Sequence, residues 1–379
     1  MNNRKNASKR VLMILGSLPP MKCGVGDSMV ILAKEIASFE KKVGILTSKE
    51  ANLIEGIDVM NVMPSWSLKH FILALNTIKK WNPDVIHFQF PSLGYKTGFL
   101  PYFLTFFLSI MGRKVIQTWH EPPIKSPFAR NNLERFKRFI FSFRYIPNAV
   151  SSGYIIEVEK NALQNLRSFY KPLIKKKNVT HIPVTSNIPS SSASSDSIKE
   201  LRNRYSKDKK IISYFGFIFP HKGIDQIFEI ADPLRDHIIL MTTFSDNNSY
   251  HRELKDKINS YKEWNNNFSI TGFINADEVA DTLMASDVVL LPFRTETTLR
   301  NGSVFAAMLQ GTTIITTSRK RKGYDSDLNI YFKEPDDIKG MKSVLDDVLS
   351  KRVFKKKSTL LTWRDIAKKH IELYDNYLA

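Results

Sequence analysis

The 379-residue sequence predicts an α/β protein with two doubly wound parallel sheets. Short apolar runs alternate with helical patterns through the first half of the chain, which is typical of a parallel sheet covered by helices. A second series of the same kind begins at residue 210. A Ser- and Pro-rich stretch, residues 183–197, interrupts the pattern and predicts a linker between two domains of ordinary size.

In the first half, an apolar run at 11–16 predicts the first strand, and glycines at 23–27 predict a loop before the first helix. The remaining strands are predicted by apolar and β-branched runs at 42–47, 85–90, 114–120, 149–153 and 179–184. Helices are predicted by apolar residues at a 3.6-residue spacing, at 28–39, 67–81, 98–111 and 131–143.

In the second half, the predicted linker covers 188–208 and the second domain covers 209–361. Its strands are predicted at 210–218, 237–243, 268–274, 288–293 and 313–317. Its helices are predicted at 225–234, 249–264, 276–286 and 304–310, and a basic amphipathic helix at 362–378 follows this domain.

Composition sets the broad class. Apolar residues make up 42% and charged residues 25% of the chain, as in globular proteins. The single cysteine, Cys23, excludes an intrachain disulfide framework and fits a reducing compartment. The apolar run at 11–16 is too short for a signal-peptide core, and residues 99–111 fall short of the roughly 20 residues that a transmembrane helix needs. We therefore expect a soluble or peripheral protein.

Charge is distributed unevenly. The chain carries a net +19, and residues 1–187 hold 27 Lys and Arg against 11 Asp and Glu. Residues 188–350 hold 21 against 23. Such asymmetry indicates that the first domain meets a polyanion, either a nucleic acid or an anionic membrane. No nucleic-acid motif or aromatic stacking platform is present, which favours the membrane.

The most informative segment is Leu290–Ser318, which predicts a buried strand, a polar loop, a helix and another strand. The helix is predicted to open at Gly302 and Ser303, directly after Arg300. A helix N-terminus offers unpaired N–H groups to an anion, and a guanidinium fits phosphate. The alternative is an ordinary crossover in which Ser303 is a simple N-cap.

Three further positions have both a functional and a structural interpretation. Lys222 lies between a strand and a helix, where its ammonium could reach a phosphate or remain solvated. His120 ends a strand before Glu121 and two prolines, which predicts that it faces a cleft, although single strand histidines are usually structural. The segment Phe128–Arg144 is basic and rich in phenylalanine, so it is either a membrane-surface helix or a core helix with a basic face.

The glycine loop gives weaker signals. Gly24 and Gly26 would allow a ligand to approach the backbone closely, or they would simply form a turn. Asp27 could cap the following helix or bind an acceptor, and capping is favoured.

Seven ordered segments resemble the large retaining glycosyltransferase family numbered four, which has the GT-B fold and builds bacterial surface polysaccharides. The resemblance covers essentially the full length. The segments are ValGlyAsp at 25–27, ProAspValIleHisPheGlnPhePro at 83–91, ThrTrpHisGlu at 118–121, IleProValThrSerAsnIlePro at 182–189, TyrPheGlyPheIlePheProHisLysGly at 214–223, AlaAlaMetLeuGlnGlyThrThrIleIleThrThr at 306–317, and TrpArgAspIleAlaLysLysHisIleGluLeuTyr at 363–374.

The resemblance implies two Rossmann-like domains facing across a cleft, with residues 362–379 crossing back to the first domain. It implies an acceptor domain at 1–187 and a donor domain at 209–361, with His120 contacting the reacting sugar and Lys222 gripping the donor diphosphate. The donor-binding residues would be Gly216, Phe217, Lys222, Ile274, Glu296, Thr298, Arg300, Gly302 and Ser303. The cleft residues on the acceptor side would be Gly24, Gly26, Asp27, Gln89 and Glu121.

The chain departs from the family pattern at three positions. Phe217 stands where many members have an arginine, so Arg300 is a plausible replacement for the lost phosphate contact. Thr298 and Ala306 stand where typical members carry two glutamates seven residues apart. Glu296 is the carboxylate nearest to the first position.

The sequence therefore predicts transfer of a sugar from a nucleotide diphosphate sugar, its co-substrate, to a lipid-linked or growing glycan in bacterial surface polysaccharide biosynthesis. The family implies retention of configuration, no cofactor and no metal. We expect a polyprenyl-diphosphate-linked acceptor and a peripheral position on the cytoplasmic face of the membrane. The alternative is a non-catalytic GT-B protein that binds a nucleotide sugar or a glycan, which the missing glutamates favour.

Overall fold

A computed structural model describes residues 9–96, 98–120, 133, 136, 142–151, 153–160, 162–166, 170, 172–174, 178–298, 301–350 and 359–379. The chain divides into two compact units. Unit 1 comprises Met1–Val184 with Leu361–Ala379, and unit 2 comprises Thr185–Leu360.

Unit 1 contains a seven-stranded parallel sheet. Its strands in chain order are β1 (Arg10–Ile14), β2 (Lys42–Ser48), β3 (Asp58–Met63), β4 (Val85–Phe90), β5 (Val115–Trp119), β6 (Tyr154–Glu157) and β7 (Val179–His181). They lie in the order β3-β2-β1-β4-β5-β6-β7, which is a doubly wound arrangement. The helices described between them are α1 (Gly24–Ala37), α2 (Phe71–Trp81), α3 (Leu100–Ile110) and α4 (Ile146–Ser151).

Unit 2 repeats this plan. Its strands are β8 (Lys210–Phe215), β9 (Asp236–Met241), β10 (Phe268–Ile270), β11 (Val288–Leu291), β12 (Thr313–Thr317), β13 (Gly323–Asp325) and β14 (Ile330–Lys333). The order is β10-β9-β8-β11-β12-β14-β13, and only β13 runs antiparallel within this described sheet. The helices are α5 (Ser195–Tyr205), α6 (Ile224–Ile230), α7 (Ser249–Ser260), α8 (Ala276–Ala285), α9 (Gly302–Gln310) and α10 (Ile338–Ser350).

The last helix, α11 (Trp363–Leu378), belongs to unit 1 and packs beside α1. Its Trp363, Ile366 and Tyr374 share one apolar cluster with Leu32 of α1 and Met13 of β1. Lys9 reinforces the contact, because its Nζ donates to Asp375 at 2.9 Å. The two predicted doubly wound domains and the return of the final helix to the first domain are confirmed.

Side chains alternate between the two faces of a strand, so each face of the first sheet packs against a different set of helices. Leu12 and Ile14 of β1 join the cluster that includes residues of α2 and α3, whereas Val11 and Met13 join the cluster with α1 and α11. On β4, Val85 lies in the second cluster, so His87 and Gln89 at the same register also face α1 and α11.

Several predicted boundaries are wrong. The first helix begins at Gly24, within the predicted glycine loop. The strand predicted at 149–153 is wrong, because residues 149–151 belong to a helix that begins at Ile146 with Pro147 in its first turn; the strand is Tyr154–Glu157. The predicted linker at 188–208 contains α5. Most of the helix predicted at 131–143 lies outside the described residues.

Three strands and one helix lie where the sequence patterns gave no prediction. Strand β3 lies at the edge of the first sheet, and its partly exposed residues break the apolar run that marks the central strands. In unit 2, the hairpin of β13 and β14 and helix α10 were not predicted. Among the described residues, no helix is both long and apolar enough to cross a membrane.

Candidate functional site

The carboxyl ends of β1 and β4 come very close together in unit 1. A Cβ on Gly94 would collide with the carbonyl of Gly16, and one on Gly16 would lie 2.5 Å from the backbone nitrogen of Tyr95. Ser92 Oγ accepts a hydrogen bond from the Gly16 N–H at 3.1 Å and lies 2.7 Å from Ser17 Oγ. This edge is therefore closely packed, and open α/β sheets bind their ligands at such an edge.

The first turn of α1 holds the predicted glycine-loop residues. Gly26 packs against the chain after β1, because a Cβ there would lie 2.5 Å from the Ser17 carbonyl oxygen, whereas a Cβ on Gly24 would meet nothing within 4 Å. Only Gly24 thus leaves open space beside the backbone. The prediction that Asp27 caps α1 is wrong, because Cys23 occupies the N-cap position. Burial raises the pKa of the Asp27 carboxyl above its ordinary value.

His120 follows the end of β5 and is buried. Its backbone N–H donates to the Phe90 carbonyl at 2.8 Å, which continues the pairing of β5 with β4 beyond the last strand residue. Its Nε2 lies 2.9 Å from Gln89 Oε1. The structure therefore brings two predicted site residues into contact. Glu121 lies outside the described residues.

Behind Gln89 lies a second buried histidine, which the sequence analysis did not single out. His87 Nε2 lies 3.1 Å from Gln89 Nε2 and 2.7 Å from Thr118 Oγ1, and His87 Nδ1 lies 2.6 Å from the hydroxyl of Tyr374 on α11. His370 packs beside the ring, with centroids 5.4 Å apart.

Burial, with His370 and His120 nearby, lowers the pKa of His87 well below its ordinary value, so the ring is neutral. The signal that could have found His87 is its spacing, since residues 85, 87 and 89 share one strand face.

In unit 2, the loop after β8 carries Gly216, Phe217 and Lys222. Gly216 has φ +148°, and a Cβ there would lie 2.9 Å from Ser303 Oγ of α9, so a larger residue would strain the backbone and crowd that serine. Tyr214 fixes the next turn by donating from its hydroxyl to the Phe217 carbonyl at 3.0 Å. Phe217 is exposed.

Lys222 ends a short 3-10 turn, Pro220–Lys222, and its Nζ lies 4.2 Å from the centroid of the Phe293 ring. Gly223 follows at φ +64°, and a Cβ there would collide with the Pro292 carbonyl oxygen. The described part of the chain places no carboxylate in contact with Lys222. Burial lowers the pKa of its ammonium to about 8. The side chain is thus a partly desolvated cation that has no counter-ion among the described residues.

An ion-paired cluster that the sequence analysis missed holds this loop in place. Arg294 donates from Nη2 to both carboxylate oxygens of Asp225, at 2.9 and 2.7 Å, and from Nη1 to Asp336 at 3.0 Å. Its backbone N–H also donates to the His221 carbonyl at 2.9 Å, next to Lys222. Although burial opposes it, Lys257 and Arg294 hold the pKa of Asp225 below its ordinary value. The cluster ties the loop after β8 to the loop after β11.

Threonines of β12 hold the segment that contains Glu296 and Thr298. Thr317 Oγ1 donates to the carbonyls of Phe293 and Thr295, each at 2.8 Å. The Thr297 N–H donates to the Thr317 carbonyl at 2.8 Å. The backbone around Glu296 and Thr298 is therefore fixed to the sheet, and both side chains remain partly accessible.

Helix α9 begins where predicted, at Gly302, but its N-cap is Asn301 and not Ser303. Asn301 Oδ1 accepts from the Ser303 N–H at 3.2 Å, and the Asn301 carbonyl accepts from the Val304 N–H at 3.0 Å. Most donors of the first turn are therefore engaged within the protein, so an anion here would rely mainly on the Gly302 N–H and the Ser303 hydroxyl. Arg300 lies outside the described residues.

The remaining predicted positions lie deeper or further away. Ala306 is fully buried in α9, where a glutamate would be enclosed. One turn later, Gln310 donates to the Pro189 carbonyl at 2.7 Å and accepts from the Ser191 N–H at 2.8 Å, so this face of α9 anchors the start of unit 2. Ile274 does not end a strand, because β10 stops at Ile270; it precedes the N-cap of α8.

Two Rossmann-like domains of this topology, with the last helix returned to the first domain, define the GT-B fold. Sequence comparison then identifies the second domain, because residues 209–350 match the family model described as "Glycosyl transferases group 1". The prediction that the chain is a glycosyltransferase is confirmed at the level of this domain. A comparison with curated protein sequences found no match.

Solved structures share the fold over nearly the whole chain. Sucrose-phosphate synthase from Thermosynechococcus elongatus is 15% identical with a TM-score of 0.74, and the match covers 97% of this chain and 98% of that one. Anabaena HepE, solved with UDP and glucose, is 13% identical with a TM-score of 0.66, covering 98% and 95%. WaaG, a glycosyltransferase involved in lipopolysaccharide biosynthesis, is 14% identical with a TM-score of 0.61, covering 97% and 96%.

Proposed function

We propose that the protein transfers a sugar from a nucleotide diphosphate sugar to a hydroxyl of a lipid-linked or growing glycan. One observation carries the proposal: Lys222 is a partly desolvated cation at the ligand-binding edge of the second sheet, and no described carboxylate pairs with it. A departing nucleoside diphosphate develops negative charge, which a preorganised cation stabilises most where water is excluded. HepE, which shares the fold, has been solved with UDP-glucose.

The proposed chemistry retains configuration and requires no metal. Lys222 would hold the β-phosphate, and the Gly302 N–H with the Ser303 hydroxyl would add neutral donors. The leaving phosphate would accept the acceptor's proton on the same face of the sugar. Transfer should therefore persist in excess EDTA, and a loss restored by Mg²⁺ would contradict the metal-independent route.

Nucleotide binding gives the decisive test. Wild-type protein, Lys222→Met and Lys255→Met should be compared by thermal shift and calorimetry against a panel of nucleoside diphosphates and their sugars. Lys255 is an exposed lysine of the same unit and serves as the matched control. Losing one charge-assisted contact should weaken binding about 10–100-fold in Lys222→Met only. Equal affinity in all three proteins would remove Lys222 from the donor site.

We further propose a polyprenyl-diphosphate-linked acceptor in bacterial surface polysaccharide biosynthesis, on the cytoplasmic face of the membrane. The net charge of the first half supports this, as does an apolar face on α2 and α3. Phe71 of α2 and Phe107 of α3 pack edge-to-face at 4.9 Å, and the exposed apolar residues on or next to these helices are Leu68, Ile72, Phe107, Ile110 and Met111.

Membrane binding can be tested on the full chain by flotation with anionic and neutral vesicles. We expect binding to anionic vesicles that weakens as salt rises. Ile110→Glu should reduce it, whereas Leu234→Glu, an exposed apolar site of unit 2, should not. Equal loss in both variants would contradict the assignment of this face.

A further inference from the structure

We propose that His87 and Tyr374 are positioning residues that select which ring nitrogen of His120 carries the proton, through the side-chain amide of Gln89. The chain of contacts is continuous and buried. It runs from Tyr374 to His87 at 2.6 Å, from His87 to Gln89 at 3.1 Å, and from Gln89 to His120 at 2.9 Å.

The side-chain amide of Gln89 couples the position of the proton on His120 to the position of the proton on His87. An amide presents a donor at one end and an acceptor at the other, so the two histidine nitrogens that it touches must take complementary roles. With Oε1 toward His120 and Nε2 toward His87, His120 Nε2 carries a proton and His87 Nε2 accepts. A neutral His87 then carries its proton on Nδ1 and donates to the Tyr374 oxygen.

A second arrangement also satisfies the three pairs of this chain. The Tyr374 hydroxyl then donates to His87 Nδ1, His87 Nε2–H donates to a reversed Gln89 amide, and His120 Nε2 becomes the acceptor. Each arrangement places one proton on each ring, so the two arrangements differ only in which nitrogens carry the protons. The protons on His87 and His120 therefore change position together.

The structure has the first arrangement, in which Nδ1 is the acceptor nitrogen of His120. The consequence for catalysis rests on the proposed function: the arrangement decides which nitrogen of the His120 ring carries a proton beside the reacting sugar. The coupling itself is measured on the protein alone, without substrate.

Tyr374→Phe is the test, because it removes one oxygen from a residue that does not touch His120. In the first arrangement it leaves a buried N–H on His87 unpaired, and in the second it leaves only an unpaired lone pair. Buried N–H groups without a hydrogen-bond partner are rarer in proteins than buried acceptors without one. His120 should therefore shift from the Nε2–H to the Nδ1–H tautomer, seen in the nitrogen chemical shifts of ¹⁵N-labelled imidazole rings.

Two controls separate coupling from loosened packing. Tyr377→Phe removes a hydroxyl from the same helix and should leave the tautomer of His120 unchanged. Thr118→Val removes a hydroxyl from the same His87 ring and should also leave it unchanged, because Gln89 still donates to Nε2.

A Gln89→Leu background gives the second measurement. Without the amide, Tyr374→Phe should no longer alter His120. An unchanged His120 tautomer in Tyr374→Phe would overturn the proposal, and so would a shift that survives in the Gln89→Leu background. Equal nucleotide affinity in the wild type and in Lys222→Met would overturn the donor site alone, so the two proposals fail separately.

Discussion

The two units present the same sheet edge with opposite chemistry. In unit 1, the side chains behind His120 form a neutral chain of hydrogen bonds through Gln89, His87 and Tyr374. In unit 2, the loop of Lys222 is held by charged pairs among Arg294, Asp225, Asp336 and Lys257. A neutral chain can orient a reacting group without adding charge, whereas a charged clamp can hold a cation ready for an anion. The difference predicts separate effects on turnover and on donor affinity.

The largest expected effect is on Lys222. Lys222→Met should lower transfer about 100–1,000-fold, as does loss of one preorganised donor to a developing oxyanion. Lys222→Arg should recover part of it, because the charge remains while the geometry of the donor changes. Steady-state transfer to a glycan acceptor measures this, with Lys255→Met as control. Unchanged transfer in Lys222→Met would contradict the assignment of donor binding to the charged site of unit 2.

His120 should show the complementary pattern. His120→Ala should reduce kcat about 100-fold if the ring handles a proton or orients the reacting sugar. The Kd for the nucleoside diphosphate, measured by calorimetry, should stay close to that of the wild type, since the charged contacts lie in unit 2. A large rise in that Kd would show that the division of labour between the units is wrong.

The pH dependence of donor binding should follow Lys222. The pKa of its ammonium is lowered to about 8, so the cation is present below that pH and lost above it. Nucleoside diphosphate affinity should therefore be level below pH 8 and fall up to about tenfold per pH unit above it. Lys222→Arg should bind with no such fall. A level profile to pH 10 in the wild type would contradict the lowered pKa.

The smallest effect concerns two glycines of the same helical turn. Gly26→Ala should destabilise unit 1 by about 1–3 kcal/mol, because the new Cβ would meet the Ser17 carbonyl oxygen. Gly24→Ala should be neutral or stabilise by about 0.4–1 kcal/mol, because its Cβ would meet nothing within 4 Å. Denaturant unfolding of both variants measures the pair. Equal destabilisation would show that both glycines serve packing.

The sequence predicted the central strands closely because they are buried on both faces. Strands β4 and β12 have the predicted bounds, since continuous apolar and β-branched runs leave little ambiguity. Strand β3 was missed because an edge strand keeps polar and exposed residues. Strand β6 was not predicted because it is only four residues long and the pattern just before it, at 149–153, predicts a strand there instead.

The site residues could be predicted where they lie together in one short sequence motif. Lys222 and Gly216 lie in a short motif after a strand, whereas the partners of His120 are spread along the chain. His87 and Tyr374 are 287 positions apart, and no periodicity links a strand to a helix at that separation. The ion-paired cluster that holds the Lys222 loop could not be predicted for the same reason, since Arg294 and Asp225 come from different crossovers.

The C-terminal helix has a consequence for how the protein is made. Residues 363–378 complete the core of unit 1, yet they are synthesised after all of unit 2. Until they emerge, the sheet face with His87 is covered by α1 without α11, and the apolar side of α1 lacks its partner helix. The first domain in sequence must therefore be the last to finish folding, and nascent chains arrested before residue 363 should carry a protease-sensitive first domain beside a protected second one.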